Sequence, residues 1–155
     1  MKFNPELYHR RSIRIKDYDY SQEGMYFITI CCKDRNNILG VIEDNKVILN
    51  QCGNIIKDEL IALNKKYKNT NILKYVIMPD HIHFIIELIN GNKKTIGDII
   101  KTYKSVASKK IKRINQIDLW QRNYYEHIIR NEKELYRIYN YIENNPVNWK
   151  HKNNE

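Results

Sequence analysis

A chain of 155 residues, 29% of them charged and rich in isoleucine, can bury one hydrophobic core and is too apolar for a disordered polyelectrolyte. Its formal net charge of +9 and pI of about 9.4 favour a polyanionic partner, nucleic acid ahead of an anionic membrane surface. No apolar run approaches the ~20 residues needed to cross a bilayer and no signal peptide opens the sequence, so the expectation is a cytoplasmic protein with no membrane partner. Three cysteines, Cys31, Cys32 and Cys52, form neither an even framework nor a CxxC site, in keeping with a reducing compartment.

Residues 1–24 are polar, basic and tyrosine-rich, with weak periodicity, and read as an extended arm. The run "MYFITICC" (25–32) reads as a buried strand, and a short hairpin is expected across residues 43–45. Cys52, Ile55, Ile56, Leu60, Leu63 and Tyr67 recur at helical spacing over 51–67. "NILKYVIM" (71–78) is the next strand, and Pro79-Asp80 turns it into "HIHFIIEL" (81–88). "TIGD" (95–98) has the capping-box pattern and opens an amphipathic helix to about residue 114. "YYEHIIR" (124–130) is a further strand, and a helix over 131–145 should stop at Pro146.

The order β-α-β-β-α-β followed by a helix predicts a single α+β domain with a ferredoxin-like antiparallel sheet. It divides into the arm (1–24), the core (25–130) and a last helix (131–146). Two helices should cover one sheet face, leaving the other open for a site and for the last helix.

In a strand, residues i and i+2 share a face, so His81 and His83 present two imidazoles side by side. Such a pair supplies part of a divalent metal site and needs further ligands; the plainer alternative is two half-buried, hydrogen-bonded histidines. On the last helix Leu135, Ile138, Tyr139 and Ile142 make an apolar stripe, and Tyr141 and Asn145 lie beside it, four residues apart. That spacing pairs a candidate nucleophile with a neutral oxygen ligand; the competing reading is a surface tyrosine and an asparagine that ends a helix.

Five stretches, "RRSIRIKDYDYSQEGMYFITICCKDR" (10–35), "YVIMPDHIHFII" (75–86), the basic helix, "WQRNYYEHIIRNEKEL" (120–135) and "YIENNP" (141–146), together resemble the REP-associated tyrosine transposases. These belong to the single-tyrosine branch of HUH endonucleases. The resemblance implies that His81, His83 and Asn145 bind Mg²⁺ or Mn²⁺ and that Tyr141 is the nucleophile. It further implies cleavage of single-stranded or hairpin DNA through a 5′-phosphotyrosine with a free 3′-hydroxyl, in a monomer or a homodimer. Asp80 departs from the asparagine that many relatives carry before the first histidine. It either adds charge to the site or caps the turn. His127 is a second candidate neighbour, against the ordinary reading of a partnered strand histidine.

Lys101, Lys104, Lys109 and Lys110 on the second helix, Arg10, Arg11 and Arg14 on the arm, and Arg122 before the last strand are the candidate DNA contacts. No P-loop motif is present, in accord with a reaction that needs no nucleotide. Two other readings compete: a DNA-hairpin-binding protein that kept the fold and lost catalysis, and a structural zinc domain. A closed zinc site wants four ligands, which two histidines without CxxC do not supply.

Overall fold

Alternation along two neighbouring strands fixes the layout. In the computed structural model, which describes residues 23–89 and 94–153, β1 (Gly24–Cys31) pairs along its whole length with β5 (His81–Leu88). Between them come the hairpin β2 (Gly40–Glu43) and β3 (Lys46–Leu49), helix α1 (Gln51–Lys66) and β4 (Thr70–Ile77). After β5 follow α2 (Ile96–Lys112), β6 (Tyr125–Ile129), α3 (Glu132–Glu143) and α4 (Asn145–Asn153). The main sheet is wholly antiparallel in the order β4-β5-β1-β6, the expected ferredoxin-like arrangement; β2 and β3 form a separate ribbon. The basic arm expected over 1–24, with Arg10, Arg11 and Arg14, lies outside the described residues but for its last two.

The even-numbered side chains of β1 and β5, including Tyr26, Ile28, Ile30, Ile82, Phe84 and Ile86, are fully buried in one core with α1 and α2. Ile56 and Leu60 of α1 and Ile99, Tyr103 and Ala107 of α2 complete that layer. The odd-numbered side chains face the other way. There Met25, Ile85 and Ile129 pack against Leu135, Ile138 and Ile142, the apolar stripe of α3. Each such side chain, removed from water, contributes about 1.5–3 kcal/mol, so this smaller core suffices to hold α3 on the sheet. The face left for a site and for the last helix is thus roofed in part by α3, as expected.

Local chemistry sets the boundaries. Asp44 and Asn45 take φ of 50° and 63°, the two left-handed central residues of a hairpin turn whose twist suits the strands it joins. Asn50, Thr95 and Asn131 cap the three long helices, and Thr95 with Asp98 forms the full capping box read from the sequence. At Gly53 a Cβ would sit 2.1 Å from the Leu39 carbonyl oxygen, so only glycine lets α1 start this close to the hairpin.

Two polar clamps fix α3. At its start the buried Glu134 carboxylate accepts from His127 Nε2 on β6 and, at 3.1 Å, from the Arg130 backbone N–H. At its end Glu143 pairs with Lys74, whose ammonium also lies 4.6 Å from the Tyr139 ring centre. A register shift between Ile72 and Lys74 inserts Leu73 as an extra residue in β4, and Leu73 joins the α3 core.

The last helix differs from expectation. It ends at Glu143, and after Asn144 (φ −93°, ψ 3°) a new helix, α4, carries on to Asn153. Pro146 has no N–H to offer the Ile142 carbonyl, so the ladder breaks; the Asn144 N–H bonds to Asn140 and Ile142 instead. Pro146 then sits in the first turn of α4, where its missing N–H costs nothing. Proline redirects the chain here rather than ending it.

Replacing Glu134 with alanine strips the buried acceptor from both His127 and Arg130, and should lower stability by about 1–3 kcal/mol. Chemical denaturation should show a lower midpoint at unchanged slope, with His127→Ala costing less because the Arg130 bond survives.

Candidate active site

Strand parity puts His81 and His83 on the α3 side of β5, their ring centres 4.6 Å apart. A recess of about 360 Å³ gathers Thr29, Arg35, His81, His83, Tyr141, Asn145, Asn148 and Trp149. The four residues expected to make the site, His81, His83, Tyr141 and Asn145, thus line one cavity. Tyr141 and Asn145 do so from two helices rather than from one helix face, since the break at Asn144 falls between them. The Tyr141 ring stands edge-on to His83 at 5.3 Å and to Phe27 at 6.1 Å, with the residue 47% exposed. The histidines and Asn145 are nearly buried. Phe27 stacks on His83 at 5.3 Å, and Trp149 of α4 lies 5.8 Å from His81.

Each imidazole is held through Nδ1. His81 Nδ1 is 2.5 Å from Asp80 Oδ1, and His83 Nδ1 is 2.8 Å from Thr29 Oγ1. Thr29 is the cross-strand partner of His83, so the β1–β5 register itself delivers this bond. The Nε2 atoms are not used by these bonds. Fixing one ring nitrogen to orient the other is how proteins present histidine to a metal. Two such imidazoles with the buried Asn145 carboxamide in the same recess form a donor set that fits a divalent cation taking nitrogen and oxygen ligands. Among the described residues no group of three or more His, Cys, Asp or Glu side chains is placed to hold a metal, so the histidine pair has no third ligand of those types toward a four-ligand zinc cage.

Electrostatics support the same reading. Burial, reinforced by His81 and Arg35 nearby, lowers the His83 pKa to about 3, so this imidazole is neutral and has a lone pair near pH 7. For Asp80 burial pushes the pKa up, but hydrogen bonds and charge from His81 and Arg35 outweigh it and hold the carboxyl below its usual range. Asp80 neither simply caps the turn nor lines the recess. It binds His81 on one oxygen and Arg35 Nε, at 2.9 Å, on the other.

Other expected residues are placed differently. His127 is engaged by Glu134 and does not line the recess. Lys104 is half-buried and donates to the carbonyls of Gln121 and Asn123, both at 3.0 Å; burial also lowers its pKa. It ties α2 to the loop before β6. Lys110 pairs with Glu59, while Lys101, Lys109 and Arg122 are exposed. Helix α2 lies on the sheet face opposite the recess. Cys32 is fully buried, which raises its thiol to about 12 and makes it inert.

Thr29, Arg35 and Trp149 were not among the expected site residues. Thr29 becomes visible only once the strand register is known. Arg35 arrives from a short 3₁₀ turn, Lys33–Arg35, and Trp149 lies beyond the proline expected to end the helix.

The family model for IS200-like transposases matches residues 21–145, and the chain belongs to that family. It is 24% identical to the REP-associated tyrosine transposase of Escherichia coli, covering 83% of this chain and 69% of that protein. An uncharacterized protein of Haemophilus influenzae is 40% identical over 96% of this chain and 94% of its own length. Among solved structures, a REP-associated tyrosine transposase bound to a REP hairpin has the same fold, with a TM-score of 0.62 at 22% identity over 88% of this chain and 74% of that one. The resemblance read from the sequence, and the fold it implied, are borne out. No helix among the described residues is long and apolar enough to cross a membrane.

Asp80→Asn should release His81 from its fixed tautomer. Nitrogen-15 NMR of the metal-free protein should show an Nδ1-protonated His81 in the wild type and a mixture of tautomers in the variant, with His83 unchanged.

Proposed function

We propose that this transposase-family protein nicks and rejoins single-stranded DNA, at hairpin-forming repeats, through a covalent bond to Tyr141. The observation that carries the proposal is the convergence of Tyr141, His81, His83 and Asn145, from a strand and two helices, on one recess. A binding protein without catalysis would not need an exposed phenol edge-on to a buried histidine pair. The hairpin as substrate is suggested by the solved relative, which is bound to one.

In this reading Tyr141 Oη forms a bond to the scissile phosphorus while the P–O3′ bond breaks. The phenol proton is lost and the departing 3′ oxygen takes one up, so the step is balanced without hydrolysis. The phosphodiester's free energy is retained in the phosphotyrosine link, and religation by a 3′-hydroxyl needs no nucleotide. His81, His83 and Asn145 would hold Mg²⁺ or Mn²⁺. When bound, such a cation supplies Lewis-acid polarisation of the phosphate and a template for its oxygens. Thr29 and Asp80 keep the two imidazoles turned with Nε2 available. Trp149 and Phe27 pack against them and exclude water, which strengthens electrostatic interactions within the recess. The clamps on α3 set where the Tyr141 oxygen can go.

The net charge of +9 supplies affinity for phosphates generally. Because α2 lies across the sheet from the recess, Lys101 and Lys109 would hold DNA that flanks the cleavage point.

Tyr141→Phe removes a single oxygen, so folding and DNA affinity should be retained while the covalent adduct on a denaturing gel disappears. Peptide mass spectrometry of the wild-type adduct should locate the nucleotide on Tyr141; a nucleotide on exposed Tyr125 or Tyr136 would overturn the assignment. EDTA should abolish adduct formation and Mg²⁺ or Mn²⁺ restore it.

Affinity for a single strand should fall linearly on a log–log plot against salt, with a slope near −0.7 per phosphate contacted. Reversing Lys101 and Lys109 together to glutamate should make that slope shallower, and an unchanged slope would remove α2 from the DNA interface.

A further inference from the structure

Arg35 is a cation that lines the recess beside the nucleophile and the candidate metal ligands. Its position is held at a conformational cost. Asp34 and Arg35 have φ of 56° and 55°, two consecutive left-handed residues, neither of them glycine. That conformation crowds the Cβ against the following carbonyl oxygen and is unfavourable for any residue but glycine. Backbone strain kept next to a reactive cavity is a pointer to function when other observations agree.

The donor count agrees. Arg35 Nε donates to Asp80 Oδ2 at 2.9 Å, and Nη1 approaches Cys31 Sγ at 3.4 Å. Nη2 lies 3.5 Å from His81 Nδ1, but that contact cannot be a hydrogen bond. An ionised carboxylate only accepts, so the 2.5 Å contact between Asp80 and His81 puts the hydrogen on Nδ1 and leaves it no lone pair. Nη2 and the second Nη1 hydrogen are therefore uncommitted among the described residues. The side chain is half exposed, pinned at one edge, beside His81 and on the recess that His83 also lines. A planar guanidinium fixed this way presents a fork that suits a phosphate oxygen.

We propose that the Arg35 guanidinium grips a non-bridging oxygen of the scissile phosphate and is a catalytic residue of the reaction. The proposal rests on the phosphoryl-transfer reading above. Arg35 offsets negative charge as Tyr141 attacks, and Asp80 sets both this cation and the His81 ring with one carboxylate. Lysine could not replace it, since one ammonium cannot satisfy Asp80 and the phosphate in the same geometry.

The test is a cycle between protein and substrate. The probe is a single-stranded hairpin oligonucleotide whose cleavage point has been mapped with the wild-type protein. It carries at that point either the natural phosphate or a methylphosphonate, in separated Rp and Sp forms. On the natural phosphate, Arg35→Gln should slow single-turnover adduct formation by about 10²–10³-fold, as for loss of one transition-state donor. On the one methylphosphonate isomer that lacks the gripped oxygen, wild type and variant should agree to within about twofold. Where the neutral analogue reacts too slowly to time, the same cycle is read as equilibrium affinity in the Tyr141→Phe background. An equal loss on all three substrates would mean that Arg35 only supports Asp80 and His81, and would overturn the proposal. Arg35→Lys is the second variant should the glutamine fail to fold; it too should show a loss confined to substrates that keep the oxygen. If wild type forms no adduct on the natural phosphate, the phosphoryl-transfer reading fails first, before any Arg35 variant is compared.

Discussion

The pairing of β1 with β5 is the constraint on which everything else depends. Its register, with Ile28 opposite Phe84 and Thr29 opposite His83, sorts alternate residues onto two faces with different jobs. A slip of one residue would carry His81 and His83 into the aliphatic core and send Ile82 and Phe84 to the site. The energy of the main core guards against that slip: Ile28, Ile30, Ile82, Phe84 and Ile86 are all fully buried against α1 and α2. The apolar face therefore specifies the position of the polar one, though the two share no side chains. The Thr29–His83 bond is a direct by-product of that register.

A site on one face of a sheet needs a second element above it, and α3 meets that need with few contacts. Its stripe of Leu135, Ile138 and Ile142 covers only part of the sheet, so orientation is left to the polar groups at its two ends. Glu134 fixes the start to β6, and Lys74 with Glu143 fixes the end to β4, the two edge strands of the sheet. Between these anchors Tyr141 projects beyond the packed stripe toward His83 and Phe27. The bulge at Leu73 belongs to the same arrangement, since it adds an apolar side chain beneath α3 at the edge where Lys74 reaches up.

Pro146 has an outsized consequence. By interrupting the hydrogen-bond ladder after Tyr141 it allows the chain to turn at Asn144, so that Asn145 enters the recess from the start of α4 and Trp149 closes over His81. An uninterrupted helix would keep Tyr141 and Asn145 in a fixed relation on one cylinder. Two helices let the phenol stay half exposed while the carboxamide is buried.

Periodicity and turn chemistry by themselves determined the core strands, the α1 and α2 helices, the Thr95 capping box and hence the ferredoxin-like order. Those features rest on local backbone geometry and on which residues must leave water, and both are written in consecutive residues. The histidine pair was equally legible, because period two is a property of the strand alone, and the motifs around it led to the family. What a histidine's other nitrogen bonds to is decided across strands. Thr29 is 54 residues from His83, Arg35 is 45 from Asp80, and Lys104 meets Gln121 and Asn123 only after α2 has packed. Sequence offers His127 as a site neighbour or a partnered strand histidine and Lys104 as a DNA contact; folding gives the first to Glu134 and the second to the carbonyls of Gln121 and Asn123. Only the tertiary structure could assign these roles, because a polar side chain can be satisfied by any of many partners, and the choice follows from which elements the apolar faces bring together.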